Sequence, residues 1–240
     1  MRFPLALAAF ITTSPALAVI GGAPVPASDG IAAHLVMLTS PTGFCSGTVV
    51  GERLVLTAAH CAEGARLAVL RFGPNRQPVV NEVVERVLHP NYRRADWAAR
   101  RTAIDLAIVK TAQPIGLGTR RATISQASVP QAGDALRLYG FGPLAEGDGA
   151  SAGVLRFAPL TVTGRPGTFQ VRLTGPAGAL GACTGDSGGP VFDGAQAVAG
   201  VVSWSTGAGS SRCGALTGTV PVAPHRGWIM DTIRRLGDRE

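Results

Sequence analysis

Short apolar, β-branched runs recur along the chain at intervals of roughly ten positions, each closed by Gly, Pro, Asn or Ser, which is the pattern of an all-β sandwich or barrel. Strands are predicted over Leu54 to Thr57, Leu67 to Phe72, Val79 to Leu88, Leu106 to Lys110, Leu136 to Phe141, Leu155 to Val162, Phe169 to Thr174 and Ala197 to Trp204. Helical spacing is confined to the C-terminus. There Trp228, Ile229, Ile233 and Leu236 share one face, and Arg234 and Arg235 sit near the end, where cations suit the helix dipole. A Pro/Gly-containing stretch from Thr111 to Gly118 is a candidate joint between two halves of similar size, and Gly142 to Gly153, with Glu146 and Asp148, reads as a surface loop.

The first 18 residues break this pattern. Arg2, an apolar run from Phe3 to Ile11, and Ala16-Leu17-Ala18 form an export signal, with cleavage expected after Ala18. The chain starting at Val19 is then exported, periplasmic or extracellular, with no integral membrane association, and its four cysteines can oxidise into two disulfides. A hydrophobic content of 46% excludes a disordered chain, and the glycines follow no collagen period. The formal net charge is +7, and Lys110 is the only lysine among the 22 basic residues. Because the arginines are scattered from Arg53 to Arg239 rather than gathered on one element, no nucleic-acid partner is expected.

The sharpest chemical signal is Gly185-Asp186-Ser187-Gly188-Gly189-Pro190, a serine in a glycine-flanked turn. It also satisfies the Gly-x-Ser-x-Gly pattern of α/β-hydrolases, which place an acid and then a histidine after the serine. Only His225 follows Ser187, and the strand-rich pattern lacks alternating helices, so chain order disfavours that architecture. Upstream stand Leu56-Thr57-Ala58-Ala59-His60-Cys61 and Ile104-Asp105-Leu106-Ala107-Ile108-Val109. A serine hydroxyl needs a base to become nucleophilic, and that base needs an orienting acid. His60, Asp105 and Ser187 supply the three types in the order His, Asp, Ser; His34, His89 and His225 have no such context and read as structural.

With these motifs in order, the chain from Val19 to the C-terminal helix resembles a chymotrypsin-like (trypsin-family) serine endopeptidase, an exported bacterial-type member. The resemblance implies two six-stranded antiparallel barrels: an N-terminal barrel over about 19–112, a C-terminal barrel over about 119–224 and a helix over about 225–237. It also implies His60 as general base, Asp105 as its orienting acid, Ser187 as nucleophile, and the backbone N–H groups of Gly185 and Ser187 as the oxyanion hole. Ser203 resembles the serine that supports the buried aspartate. Val19-Ile20-Gly21-Gly22 resembles the family's mature terminus, whose freed amine pairs with Asp186, so signal removal alone would activate the enzyme. The implied disulfides are Cys45 with Cys61 and Cys183 with Cys213.

Where trypsins carry a pocket-floor aspartate this chain has Gly181, followed by Ala182, and the implied pocket walls are Ser203-Trp204-Ser205 and Gly218. Without a charge on that floor a neutral, small-to-medium apolar or aromatic P1 residue is expected, and Arg212 reads as solvent-exposed. No Cys-x-x-Cys pair or EF-hand loop occurs, so no metal or cofactor is expected. The expected partners are protein or peptide substrates of a monomer. A non-catalytic homologue that binds partners and an exported esterase are the alternatives.

Overall fold

Every residue of the run Leu54–Thr57 is buried, and its neighbours face opposite ways. Val55 joins Val36, Val69 and Val109 inside one barrel, whereas Leu54 and Leu56 join Ile108 in a second apolar layer outside it. A strand with two buried faces reads as an unbroken apolar run, which is why this one was legible. The computed structural model describes residues 19–26, 28–72, 77–99, 103–165 and 169–237. The expected export signal, Arg2 through Ala18, lies outside the described residues.

After a short strand β1 (Ala23–Pro24), the first barrel is built from β2 (Leu35–Ser40), β3 (Gly43–Val49), β4 (Leu54–Thr57), β5 (Ala68–Phe72), β6 (Pro78–Leu88) and β7 (Ala107–Thr111). They close in the order β2-β3-β4-β7-β6-β5, with Met37 opposite Leu70 at the closure. The second barrel follows with β8 (Ala135–Gly140), β9 (Arg156–Gly164), β10 (Val171–Thr174), β11 (Pro190–Phe192), β12 (Val198–Thr206) and β13 (Leu216–Pro221). Its ring runs β8-β9-β10-β13-β12-β11 and returns to β8. The fold is therefore two six-stranded antiparallel barrels of the chymotrypsin type. Strand β1, in the stretch expected to open the first barrel, pairs instead with β9 of the second, Ala23 opposite Phe157.

The described residues also form three α-helices, α1 (Ala59–Ala62), α2 (Arg94–Ala98) and the C-terminal α3 (Arg226–Gly237). Helix α3 buries Ile229, Thr232 and Leu236 against β4 and β7. Lys110 Nζ donates to the Leu236 carbonyl at 2.7 Å, satisfying one of the carbonyls that a helix end leaves open. Among the described residues no helix is long and apolar enough to cross a membrane.

Under α3 lie two buried histidines. The rings of His89 and His225 meet edge-on with centroids 4.8 Å apart, and His89 makes a second edge contact with Trp228. Burial holds His89 below the ordinary histidine value; burial, then the neighbouring charge of His89, brings His225 down to about 4. Both are therefore neutral in the folded protein at pH values where the unfolded chain binds protons. The sign follows: this arrangement costs nothing above about pH 6.5 and removes stability as pH falls toward 4, by about 2 kcal/mol at pH 5. This pair is expected to contribute a drop of roughly 4–8 °C in melting temperature between pH 7 and pH 5. His225→Phe should flatten that drop; an equally steep fall in the variant would assign the acid sensitivity elsewhere.

Candidate active site

Strands β4 and β7 lie side by side with Thr57 opposite Ala107. The chain therefore leaves β4 into α1, carrying His60, at the edge where Asp105 arrives ahead of β7. A helix of four residues does not hold itself, and the disulfide between Cys61 and Cys45 of β3 fastens it. Asp105 is completely buried. Its Oδ1 accepts the His60 backbone N–H at 2.9 Å, and its Oδ2 accepts His60 Nδ1 at 2.7 Å and Ser203 Oγ at 2.6 Å. A carboxylate only accepts, so the imidazole proton is assigned to Nδ1 and Nε2 carries the lone pair; its neighbour at 3.5 Å, Cys61 Sγ, is a disulfide sulfur with no proton to give it. Ser203 comes from the other barrel: the β12–β13 register slips between Val202 and Trp204, and this bulge turns the Ser203 side chain toward Asp105.

Ser187 lies half-buried on the turn that enters β11. Gly185 and Gly188 hold φ of +97° and +79°, a region that side chains rarely adopt. A Cβ at Gly185 would run into the Phe44 ring, and one at Gly188 into Thr57 Oγ1 and the Ser46 carbonyl. Ser46 clamps the turn from the first barrel: its N–H donates to the Ser187 carbonyl at 2.8 Å and its Oγ to the Gly185 carbonyl at 2.8 Å. Within the described residues no hydrogen bond engages the N–H groups of Gly185 and Ser187. Two amide donors beside a serine can stabilise a developing oxyanion.

His60, Ser187 and Gly185 line one cleft of about 880 Å³ between the barrels, together with Ser203, Trp204 and Ser205. Gly181, Ala182 and Gly218 do not line it. A Cβ at Gly181 would meet Thr217 Oγ1 at 3.0 Å and the Gly214 carbonyl at 3.2 Å, and Gly218 sits opposite Trp204 in the β12–β13 ladder with the indole against it. Cleft residues that the sequence did not single out include Phe44, Trp97, Gln170 and Thr184. Trp204 Nε1 donates to Gln170 Oε1 at 3.0 Å, and Ser205 Oγ donates to the Arg212 carbonyl at 2.9 Å, joining two walls. Arg212 also lines the cleft. Its side chain is exposed and pairs with Glu146, whose Oε2 accepts the Arg212 N–H at 2.8 Å, so the 142–153 loop reaches the site.

Asp186 is the second buried carboxylate, accepting the N–H groups of Gly142 at 2.7 Å and Cys183 at 2.9 Å. Burial pushes its carboxyl up to about 7, against the opposing pull of those two N–H groups and of the Arg156 charge. Val19 is fully buried in the second barrel's core, and Ile20 pairs with Gly181. The second disulfide joins Cys183 to Cys213 across the cleft wall. The one grouping of metal-type donors among the described residues is Cys45, His60 and Cys61, and its sulfurs are tied up in a disulfide rather than available as thiolates.

Comparisons with known proteins bear on the family and the fold. The family model described as Trypsin matches residues 19–229. A snake venom serine protease of Crotalus durissus durissus is 28% identical over 207 residues, covering 78% of this chain and 76% of that protein. The trypsin of Sus scrofa is 29% identical over 218 residues, covering 83% and 90%. Among solved structures, neuropsin, a serine protease of mouse brain, superposes with a TM-score of 0.74 at 21% identity over 88% of this chain and 98% of its own.

Gly185→Ala is expected to leave both barrels folded and to slow fluorophosphonate labelling of Ser187 by about 10²- to 10³-fold, because the added methyl and the positive φ together turn the amide donors away. Labelling at the unsubstituted rate, measured by intact mass against time, would show that the turn tolerates a Cβ.

Proposed function

The chain belongs to the trypsin family of chymotrypsin-like serine proteases and hydrolyses peptide bonds, and from this premise we propose an exported endopeptidase in which His60, Asp105 and Ser187 carry the reaction. The observation that carries the reading is the hydrogen-bonded line from Ser203 through buried Asp105 to His60, opening on the cleft that holds Ser187. His60 Nε2 takes the proton as Ser187 Oγ attacks the substrate carbonyl, and the N–H groups of Gly185 and Ser187 hold the oxyanion. Collapse breaks the C–N bond, and the departing amine takes the proton back from His60. Water then attacks the acyl-enzyme by the same route, giving a carboxylic acid and free Ser187. Asp105 holds the tautomer and stabilises the imidazolium.

Selectivity follows from the walls. Among the described residues no carboxylate lines the cleft, Ser205 narrows it by bonding across to the Arg212 carbonyl, and the Arg212 guanidinium faces Glu146. A neutral apolar P1 residue of small to medium size fits these features, and a cationic one finds no carboxylate there. Activation is assigned to the pair of Val19 and Asp186. A carboxyl that burial raises to about 7, against the pull of its two N–H donors and of Arg156, would be driven to its ionised form by a cation beside it, and the amine freed by cleavage after Ala18 would supply one. Export and activation would then be one event, outside the cytoplasm, in a compartment that suits the two disulfides. The relatives named above come from a snake and from mammals and give the bacterial-type reading no support.

Mass spectrometry of the exported protein after fluorophosphonate treatment tests the reading. Label confined to Ser187 on a chain beginning at Val19, and absent from Ser187→Ala, is the expected result. An unlabelled Val19 chain would mean a binding role for the scaffold. On a peptide series differing only at P1, Ala or Val is expected to exceed Arg by at least about tenfold in kcat/KM. Preference for Arg would refute the proposed walls, and matched esters turned over without the peptides would point to an esterase.

A further inference from the structure

One face of the His60 imidazole is covered. The indole of Trp97, on α2, stacks on it with ring centroids 4.2 Å apart and an interplanar angle of 14°. Trp97 Nε1 donates to the Ser203 carbonyl at 3.5 Å, and Ser203 Oγ donates to Asp105, which in turn holds His60. Asp105, His60, Trp97 and Ser203 thus close a ring of contacts, of which the indole is the one member outside the hydrogen-bonded line from Ser203 to His60. The two helices that bear the stacked rings are also tied to each other. Glu63, at the C-cap of α1, pairs with Arg94, the first residue of α2, and accepts the Tyr92 hydroxyl at 3.3 Å.

We propose that Trp97 is a positioning residue of the triad, holding the His60 imidazole in its Asp105-bonded rotamer and facing it with an electron-rich surface when it becomes cationic. The inference rests on the reading of His60 as the general base. A histidine on a cleft wall can turn about two side-chain bonds; a ring in van der Waals contact along a whole face fills the space through which it would swing out. The same indole face attracts the imidazolium that forms once Nε2 has taken the Ser187 proton. The same stack also narrows the cleft, and that effect has the opposite sign: a mere obstruction would make the enzyme faster when removed.

The rate at which a small dialkyl fluorophosphonate labels Ser187 separates the two. In that reaction the Oγ–P bond forms, fluoride leaves and His60 takes the hydroxyl proton, so the triad is required while the peptide-binding walls are not. Trp97→Ala is expected to slow labelling by about tenfold, and Trp97→Phe, which keeps a stacking face, to remain within about threefold of the unsubstituted protein. On an Ala-P1 peptide the loss should fall on kcat, with KM moving less than about twofold. Labelling of Trp97→Ala at the unsubstituted rate or faster, in a protein with an intact melting transition, overturns the proposal. Should Trp97→Ala not fold, Trp97→Leu replaces it, filling the space without an aromatic face; a rate equal to that of Trp97→Phe then counts against the stack. Absence of label from the unsubstituted protein sinks the protease reading and this inference with it, whereas a labelled parent with an indifferent Trp97→Ala sinks the inference alone.

Discussion

The buried carboxylate of Asp105 is the constraint on which the rest of this structure turns. A carboxylate with no exposure to water is costly unless its lone pairs are filled by donors. Here the donors come from both barrels: the His60 N–H and Nδ1 from the first, the Ser203 hydroxyl from the second. The cost of burial therefore becomes a condition on how the barrels meet. A shift between them would leave a charged group unpaired inside the protein, and the penalty would fall at the seam where the cleft lies. The apolar layer that spans both barrels, with Leu56 and Ile108 on one side and Tyr139, Phe192 and Val201 on the other, supplies attraction without direction. Asp105 supplies the direction.

Asp186 poses the same problem for a different piece of backbone. Its carboxylate occupies room that exists because residues 140 and 142 are glycines; a Cβ at either would collide with it. In exchange the Gly142 and Cys183 N–H groups point inward, and the turn from Cys183 to Gly189 is held at both ends. Ser46 adds a grip from the first barrel, its hydroxyl accepting the Phe141 N–H at 3.0 Å while donating to the Gly185 carbonyl. With these carbonyls engaged, the N–H groups of Gly185 and Ser187 hold no hydrogen bond among the described residues, which suits the oxyanion role proposed for them. Preorganised amides of this kind lose little by reorganisation when charge develops beside them.

How much of this was legible depended on whether the deciding interaction was local. Strand β4 matches its sequence pattern end to end, and α3 begins at Arg226, close to the expected 225, because burial periodicity along one segment determines each. Strands β1, β2, β3, β11 and β13 are not among the predicted runs. Strand β3 starts with Gly43-Phe44-Cys45-Ser46-Gly47, too polar and glycine-rich to look like a strand, and β11 is three residues following Pro190. All but β1 pair with a neighbour in sequence, β2 with β3 and both β11 and β13 with β12, so composition and shortness rather than distance concealed those four. The motif residues His60, Asp105 and Ser187 stood out by type and order, yet the wall expected at Gly218 lies instead against Trp204. The bulge at Ser203 decides that register, and nothing in the spacing of Ser203-Trp204-Ser205 announces a bulge.

Trp97 shows the same limit most plainly. It stands in an arginine-rich stretch with no apolar period, and its ring partner is 37 positions earlier, so no window along the sequence contains the contact. What brings them together is a chain of short-range consequences: the β4–β7 register sets where α1 begins, the disulfide holds α1 in place, and Glu63 at its end draws in Arg94 and the turn that carries Trp97. Each step is weak as a predictor and firm as a structure, because each is completed only when the strands beneath it have paired. The catalytic geometry is thus carried less by the barrels' interiors than by the register at which adjacent strands end.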